Sequence, residues 1–222
     1  MNAAPLVLKP HEPVAERVLL PGDPGRALRL AQQLIVGPRM LNHHRGLWGY
    51  SGPAHDGAPL TIQSTGLGGP SAAVVVAELV ALGARRLVRL GTAAGLADTP
   101  LGTLVAVESA LADDGASRAL GAGARVPADP ALCAALAAGD GVQRALVASG
   151  DVLDPTALAR WAAAGARADD LATAAVLAAA ARYGAVAGVV LAVTRSDAGR
   201  LVDAELAAAE SALGRVGFAA LA

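Results

Sequence analysis

Ser64-Thr65-Gly66-Leu67-Gly68-Gly69-Pro70-Ser71, then an apolar run from Ala72 to Gly83, then Arg86-Leu87-Val88-Arg89-Leu90-Gly91-Thr92-Ala93-Ala94-Gly95, is the stretch that decides the fold. It reads strand, glycine loop, helix, strand, glycine loop. Glycines at such positions free backbone N–H groups to face an anion. Arg89 stands just before the second loop, where a buried strand is otherwise apolar. An arginine there either has a partner or binds something.

The same alternation extends both ways. Residues 1–16 read as an irregular arm and Val18-Leu19-Leu20 as a short buried strand. Asp23 as N-cap and Pro24 at the first helical position start a helix expected to run to Leu34. Strands are expected at Arg39–His44, Leu47–Ser51 and Leu60–Ser64, with hairpin chemistry in Gly52–Ala58. Beyond the central stretch come a strand over Leu104–Glu108, a polar glycine-rich excursion over Asp113–Asp129, and a helix over Pro130–Ala138. Next are a strand over Arg144–Ser149 and helices at Pro155–Ala164 and Asp169–Tyr183. An apolar strand, Val186–Val193, and a terminal helix, Val202–Val216, complete the chain. Apolar strands alternating with helices predict one α/β domain over residues 1–222, a largely parallel sheet with helices on both faces.

A net charge of −1 removes the electrostatic case for nucleic acid. Cys133 is the only cysteine, so neither a disulfide framework nor a cysteine metal cluster is expected. That usage suits a reducing cytoplasm, and the helical pattern around Cys133 reads as core. The most apolar stretch, Leu171–Thr194, is split by Gly184 into pieces below the ~18 residues a span needs, so no membrane segment is expected. The first residues lack the long apolar core of a signal peptide.

Several residues stand out chemically. Gly22 and Arg26 flank the first helix start, with Asp23 expected to turn away and cap. Arg89 and Thr92 flank Gly91; a guanidinium grips phosphate with paired hydrogen bonds and a hydroxyl adds a donor. The other reading pairs Arg89 with a core carboxylate such as Glu78. Asn42-His43-His44-Arg45-Gly46 ends a strand, and adjacent histidines on a strand face opposite ways, a poor metal pair. Thr194-Arg195-Ser196-Asp197 follows an apolar strand, where ligands of open α/β sheets sit. Asp197 is either a ligand group or the N-cap of the last helix.

Taken together, these pieces resemble the nucleoside phosphorylase superfamily of hexameric purine nucleoside phosphorylases and uridine phosphorylases. The resemblance rests on Leu20–Pro24 with Arg26, Arg45-Gly46, Ser64–Ser71, Glu78-Leu79, Gly83-Ala84, Val88–Gly95, Asp114–Arg118 and Ser196-Asp197. It implies a three-layer α/β/α fold around a mixed, largely parallel sheet. It also implies cleavage of a nucleoside by inorganic phosphate, as co-substrate, to free base and pentose 1-phosphate, with no metal or other cofactor. By this resemblance Gly22, Arg26, Arg89 and Thr92 hold phosphate, and Arg45 reaches the phosphate of a neighbouring subunit. His11 reaches a neighbour's pentose, Thr92, Ala93, Asp170 and Leu171 line the nucleoside, and Asp197 donates to purine N7. Arg89 and Asp197 are then the catalytic pair. A site shared between subunits implies a homodimer or a trimer of dimers.

The chain departs from the family at three places. The family's Met-Glu pair reads Leu171-Ala172 here, which removes an acceptor for two pentose hydroxyls, roughly 2–4 kcal/mol; Asp169 or Asp170 is the candidate replacement. Val152 and Leu153 stand where an aromatic residue packs on the base. Glu210 stands near the position of the Arg that assists the base-protonating Asp, with Arg195, Arg200 or Arg215 as substitutes. No Gln occurs between Asp151 and Asp170, which favours purine over uridine cleavage. The competing readings are uridine phosphorolysis, hydrolysis by a nucleosidase, and a non-catalytic nucleoside- or phosphate-binding relative.

Overall fold

The structure, a computed structural model, describes residues 5–222. The chain runs β1 (Arg17–Pro21), α1 (Pro24–Leu34), β2 (Arg39–Asn42), β3 (Gly49–Pro53), β4 (Pro59–Gln63), α2 (Gly68–Ala81) and β5 (Arg86–Gly95). It continues with β6 (Leu104–Asp113), α3 (Gly115–Ala119), β7 (Arg125–Pro127), α4 (Pro130–Ala137), β8 (Val142–Gly150) and α5 (Leu158–Ala163). The last part is β9 (Ala168–Asp170), α6 (Thr173–Tyr183), β10 (Val186–Ser196), β11 (Gly199–Arg200) and α7 (Asp203–Leu221). This is the mixed α/β class expected, with residues 5–16 irregular as read from the sequence.

Among the described residues eleven strands form one mixed sheet, in which β5 pairs parallel with β1 on one side and with β10 on the other. Both faces are covered, so β5 begins as a near-continuous apolar run, Leu87, Val88 and Leu90 being fully buried. Side chains alternate between two cores. Leu87 joins the cluster beneath α2 and α6, while Val88 and Leu90 join the cluster beneath α1, α4 and α7. Alanines let α6 sit deep: Thr173 to Ala180 are all buried. A Cβ on Gly69 of α2 would meet the Ala175 Cβ of α6 at 3.1 Å, so the two helices touch through their smallest residues.

Sequence expectations fail where backbone pairing overrides local chemistry. Gly91–Gly95 is no loop: the strand continues to Gly95 because β10 pairs with it through Ala94 and β9 caps its end, Ala94 opposite Asp169. Asp169 and Asp170 do not begin a helix. They form β9 beside β8, and the helix starts only at Thr173. The strand expected to run to His44 stops at Asn42 and gives way to a 3-10 turn, His44–Gly46. The excursion over Asp113–Asp129 contains α3 and β7, and the terminal helix runs on to Leu221. Its N-cap is Val202, so Asp197 is not that cap. Among the described residues no helix is long and apolar enough to cross a membrane.

Candidate active site

The site opens where the sheet changes partner. Strand β1 pairs with β5 as far as Leu90, and β9 takes over that side at Ala94. Between them Gly91, Thr92 and Ala93 have a strand on the β10 side alone. A cleft of about 510 Å³ fills the gap, within the range of small-ligand sites. It is lined by Gly22, Arg26, Arg89, Thr92, Ala93, Asp170 and Leu171, among others. Seven of the expected phosphate and nucleoside positions therefore line one cleft.

At the mouth of β1, Asp23 is extended and its Oδ1 accepts the Arg26 N–H at 2.6 Å, so the carboxylate is turned to capping. One turn into α1, Arg26 points inward. Its Nη2 donates to Glu210 Oε1 at 2.9 Å and its Nη1 to the Leu90 carbonyl at 3.3 Å; its Nε is buried with no partner. Arg29 also pairs with Glu210.

Arg89 is 6% exposed and pairs with Asp170, not Glu78. Its Nε and Nη2 donate to Asp170 Oδ2 at 3.2 and 2.9 Å, and Nη1 is left buried without a partner. Gly91, two residues on and facing the same way, makes room: a Cβ there would meet Arg89 Nη2 at 3.1 Å. Glu78 instead accepts the backbone N–H groups of Leu6, Val7 and Leu8 and ties down the arm. Opposite Arg89, Gly66 and Gly68 adopt left-handed φ of 73° and 82°, which glycine permits, and lead into α2. Leu67 provides no side-chain cap, so that helix N-terminus presents free N–H groups at the cleft.

Asp170 has no oxygen to spare. Oδ2 also accepts Thr173 Oγ1 at 2.8 Å, and Oδ1 accepts Ser149 Oγ at 2.8 Å and the Thr173 N–H at 3.0 Å. Asp169, the next residue along the strand, faces the other way. It is 4% exposed, lines the cleft, and leaves Oδ1 without a partner; Arg195 Nη2 lies 3.9 Å from Oδ2. Burial raises the Asp169 carboxyl above its ordinary pKa, Arg195 offsets part of that, and the Asp170 charge adds to the rise. The sequence offered Asp169 only as a neighbour of Asp170; strand alternation separates their roles.

Other candidates lie apart from the cleft lining. Asp197 is exposed in the turn between β10 and β11 and borders two adjoining hollows. Arg45 is exposed in the 3-10 turn with φ of 59°, and His11 is exposed and stacks on His43 at 5.7 Å. Ala172 is buried in the cleft wall and brings no carboxylate there, and Leu153 brings no ring. Of the arginines considered beside Asp197, Arg195 reaches the cleft, whereas Arg200 is exposed and Arg215 bonds Ser211 on the surface. Among the described residues no cluster of three His, Cys, Asp or Glu suits a metal.

A family model described as the phosphorylase superfamily matches residues 16–222. The chain is 38% identical over 107 residues to the DeoD-type purine nucleoside phosphorylase of Exiguobacterium sp. strain ATCC BAA-1283 / AT1b, covering 47% of this chain and 45% of that protein. It is 38% identical over 106 residues to the uridine phosphorylase of Treponema pallidum, covering 47% and 40%. It is 42% identical over 84 residues to the DeoD-type purine nucleoside phosphorylase of Clostridium perfringens strain ATCC 13124, covering 37% and 35%. The chain thus spans less than half the length of each of these curated relatives. With the family match running from the first strand through the last helix, the chain belongs to the phosphorylase superfamily.

Proposed function

We propose that the protein is a nucleoside phosphorylase that favours purine nucleosides. What carries this reading is the pair of buried guanidinium N–H groups, Arg26 Nε and Arg89 Nη1, left without partners in one cleft beside a helix N-terminus. Buried donors of this kind call for an acceptor, and an oxyanion supplies several. Phosphate held there by Gly22, Arg26, Arg89 and Thr92 lies beside the stretch Gly91–Ala93, where the sugar would lie.

In the reaction a phosphate oxygen forms a bond to the anomeric carbon as the bond to the base nitrogen breaks. The sugar passes through a cationic, oxocarbenium-like state, so an anion fixed beneath it supplies both proximity and charge. The bonding pair leaves with the base, which takes up a proton. In this reading Asp197 supplies that proton, and since it stands exposed, its turn must fold over the cleft. Leu171 and Ala93 form the nucleoside wall, and Asp170 keeps Arg89 in place. Arg45 and His11, exposed in the single chain, serve a neighbouring subunit of a cytoplasmic homodimer or trimer of dimers.

The test is base release from inosine, guanosine, adenosine and uridine, with and without phosphate. The expected result is phosphate-dependent release, faster for purines. Release from none of the four, or release indifferent to phosphate, overturns the reading. The buried Ala172 favours a second reading, a relative that binds nucleoside without cleaving it; calorimetric binding with no turnover distinguishes it.

A further inference from the structure

Among the described residues, Asp169 is the one cleft carboxylate with a buried, unpartnered oxygen. It sits beside the tip of β5, where Arg195 stands 3.9 Å from its Oδ2 while the neighbouring Asp170 holds Arg89. Ala94, its partner across the strands, stands five residues beyond Arg89 on β5, roughly 17 Å at 3.3 Å per residue. Thr92 and Ala93 lie between on β5 and line the cleft, along the stretch where the sugar would lie in the phosphorylase reading. Asp169 also borders the adjoining hollow, whose lining combines the apolar side chains of Leu96, Leu153 and Leu158 with polar groups that include Arg195 and Asp197. Walls of that kind suit the faces of a flat heterocycle, and a buried carboxylate oxygen at the edge suits a donor on its rim. Arg195, 3.9 Å from Oδ2, steadies the other oxygen and leaves Oδ1 alone to be satisfied.

We propose that Asp169 is a specificity-determining residue whose Oδ1 accepts a hydrogen bond from an exocyclic amino group of the base, so that the cleft selects aminopurine nucleosides. This rests on the phosphorylase reading above. Only one oxygen is free, so one amino N–H satisfies it, and a base lacking that donor leaves a buried acceptor unpaired. Sites of this kind discriminate strongly against the analogue without the donor.

The experiment compares pairs that differ by one amino group: adenosine with purine riboside, and guanosine with inosine. Each is measured as kcat/KM for the wild type, Asp169→Val and Asp169→Asn, with calorimetry of inorganic phosphate as a check that the anion end is intact. The expected result is a preference of at least tenfold for the amino-bearing member of one pair in the wild type. That preference collapses in Asp169→Val and relaxes in Asp169→Asn, with phosphate affinity unchanged. A wild type that prefers neither amino-bearing member, or variants that keep the preference, overturns the proposal. So does a change confined to the ratio of adenosine to 2′-deoxyadenosine, which would assign Asp169 to the sugar. Should the wild type cleave no nucleoside, the phosphorylase reading fails by itself. Calorimetry of adenine against purine then decides Asp169: a preference for adenine that vanishes in the variants supports it, and its absence in the wild type overturns it.

Discussion

Arg26 and Arg89 each meet a carboxylate and still keep one buried N–H unanswered. A buried guanidinium without its carboxylate would carry an uncompensated charge costing about 3–5 kcal/mol, so Glu210 and Asp170 are what let the site fold. Glu210 also competes with phosphate for Arg26. Glu210→Gln is therefore expected to lower the Tm in phosphate-free buffer and to enlarge the Tm rise that phosphate produces, a linkage read by thermal unfolding across a phosphate titration. An unchanged phosphate response would separate Arg26 from the anion. Asp169 carries a different penalty. Its carboxyl pKa is raised in the folded state, so the folded protein holds that proton more tightly than the unfolded chain. That contribution to stability is present below the unfolded value of 3.8 and is lost as pH rises through the folded value. Asp169→Asn without ligand is thus expected to raise the Tm at pH 7 and to lose that advantage toward pH 4. A pH-independent difference would contradict the assignment.

At the scale of elements, β5 does the organising. It borrows β1 for its first half, β9 for its tip and β10 for most of its length, and the cleft is the interval between the first two. The glycine at position 91 contributes space, since an added Cβ would press on the Arg89 guanidinium and on Leu191 Cδ2, 2.6 Å away. Gly91→Ala is expected to cost roughly 1–3 kcal/mol of stability through overpacking. It is also expected to weaken phosphate binding in the same direction as Arg89→Ala, for which the loss of charged hydrogen bonds predicts roughly a 10- to 100-fold effect. Calorimetry of phosphate on both variants checks this; a destabilised Gly91→Ala with wild-type phosphate affinity would show that Arg89 tolerates displacement. The sequence suggested a loop here because glycine and alanine are weak strand formers. Two partner strands, β10 along the stretch and β9 at its end, outweigh that preference. The Asp169-Asp170 strand was hidden for a similar reason: three residues are too few to show an alternating pattern, and the apolar helix behind them dominates the window.

For the whole molecule the decisive residue is Arg45. It is an exposed, non-glycine residue held in left-handed backbone, an arrangement worth its strain where it presents a side chain to something outside the chain. If it completes a neighbour's phosphate site, Arg45→Ala and Arg89→Ala are each impaired alone. Mixed and reassembled, they are expected to regain activity, because sites on Arg45→Ala subunits keep their own Arg89 and receive Arg45 from the partner. Base release after co-refolding measures this; no recovery in a demonstrated mixed oligomer would assign Arg45 to its own subunit or to none. The order of the longer strands and helices, the glycine turn into α2 and the Asp23 cap were legible in the residues alone, because local backbone chemistry and hydrophobic period are written in short windows; the grouping of Gly22, Arg26, Arg89 and Thr92 followed from the family resemblance. Which carboxylate answers each arginine, that Asp170 is saturated while Asp169 is free, and that Asp197 stands outside the cleft were decided only by folding. Those facts depend on strand register and on contacts between residues far apart in the chain, Arg26 with Glu210 and Arg89 with Asp170, which no local pattern encodes.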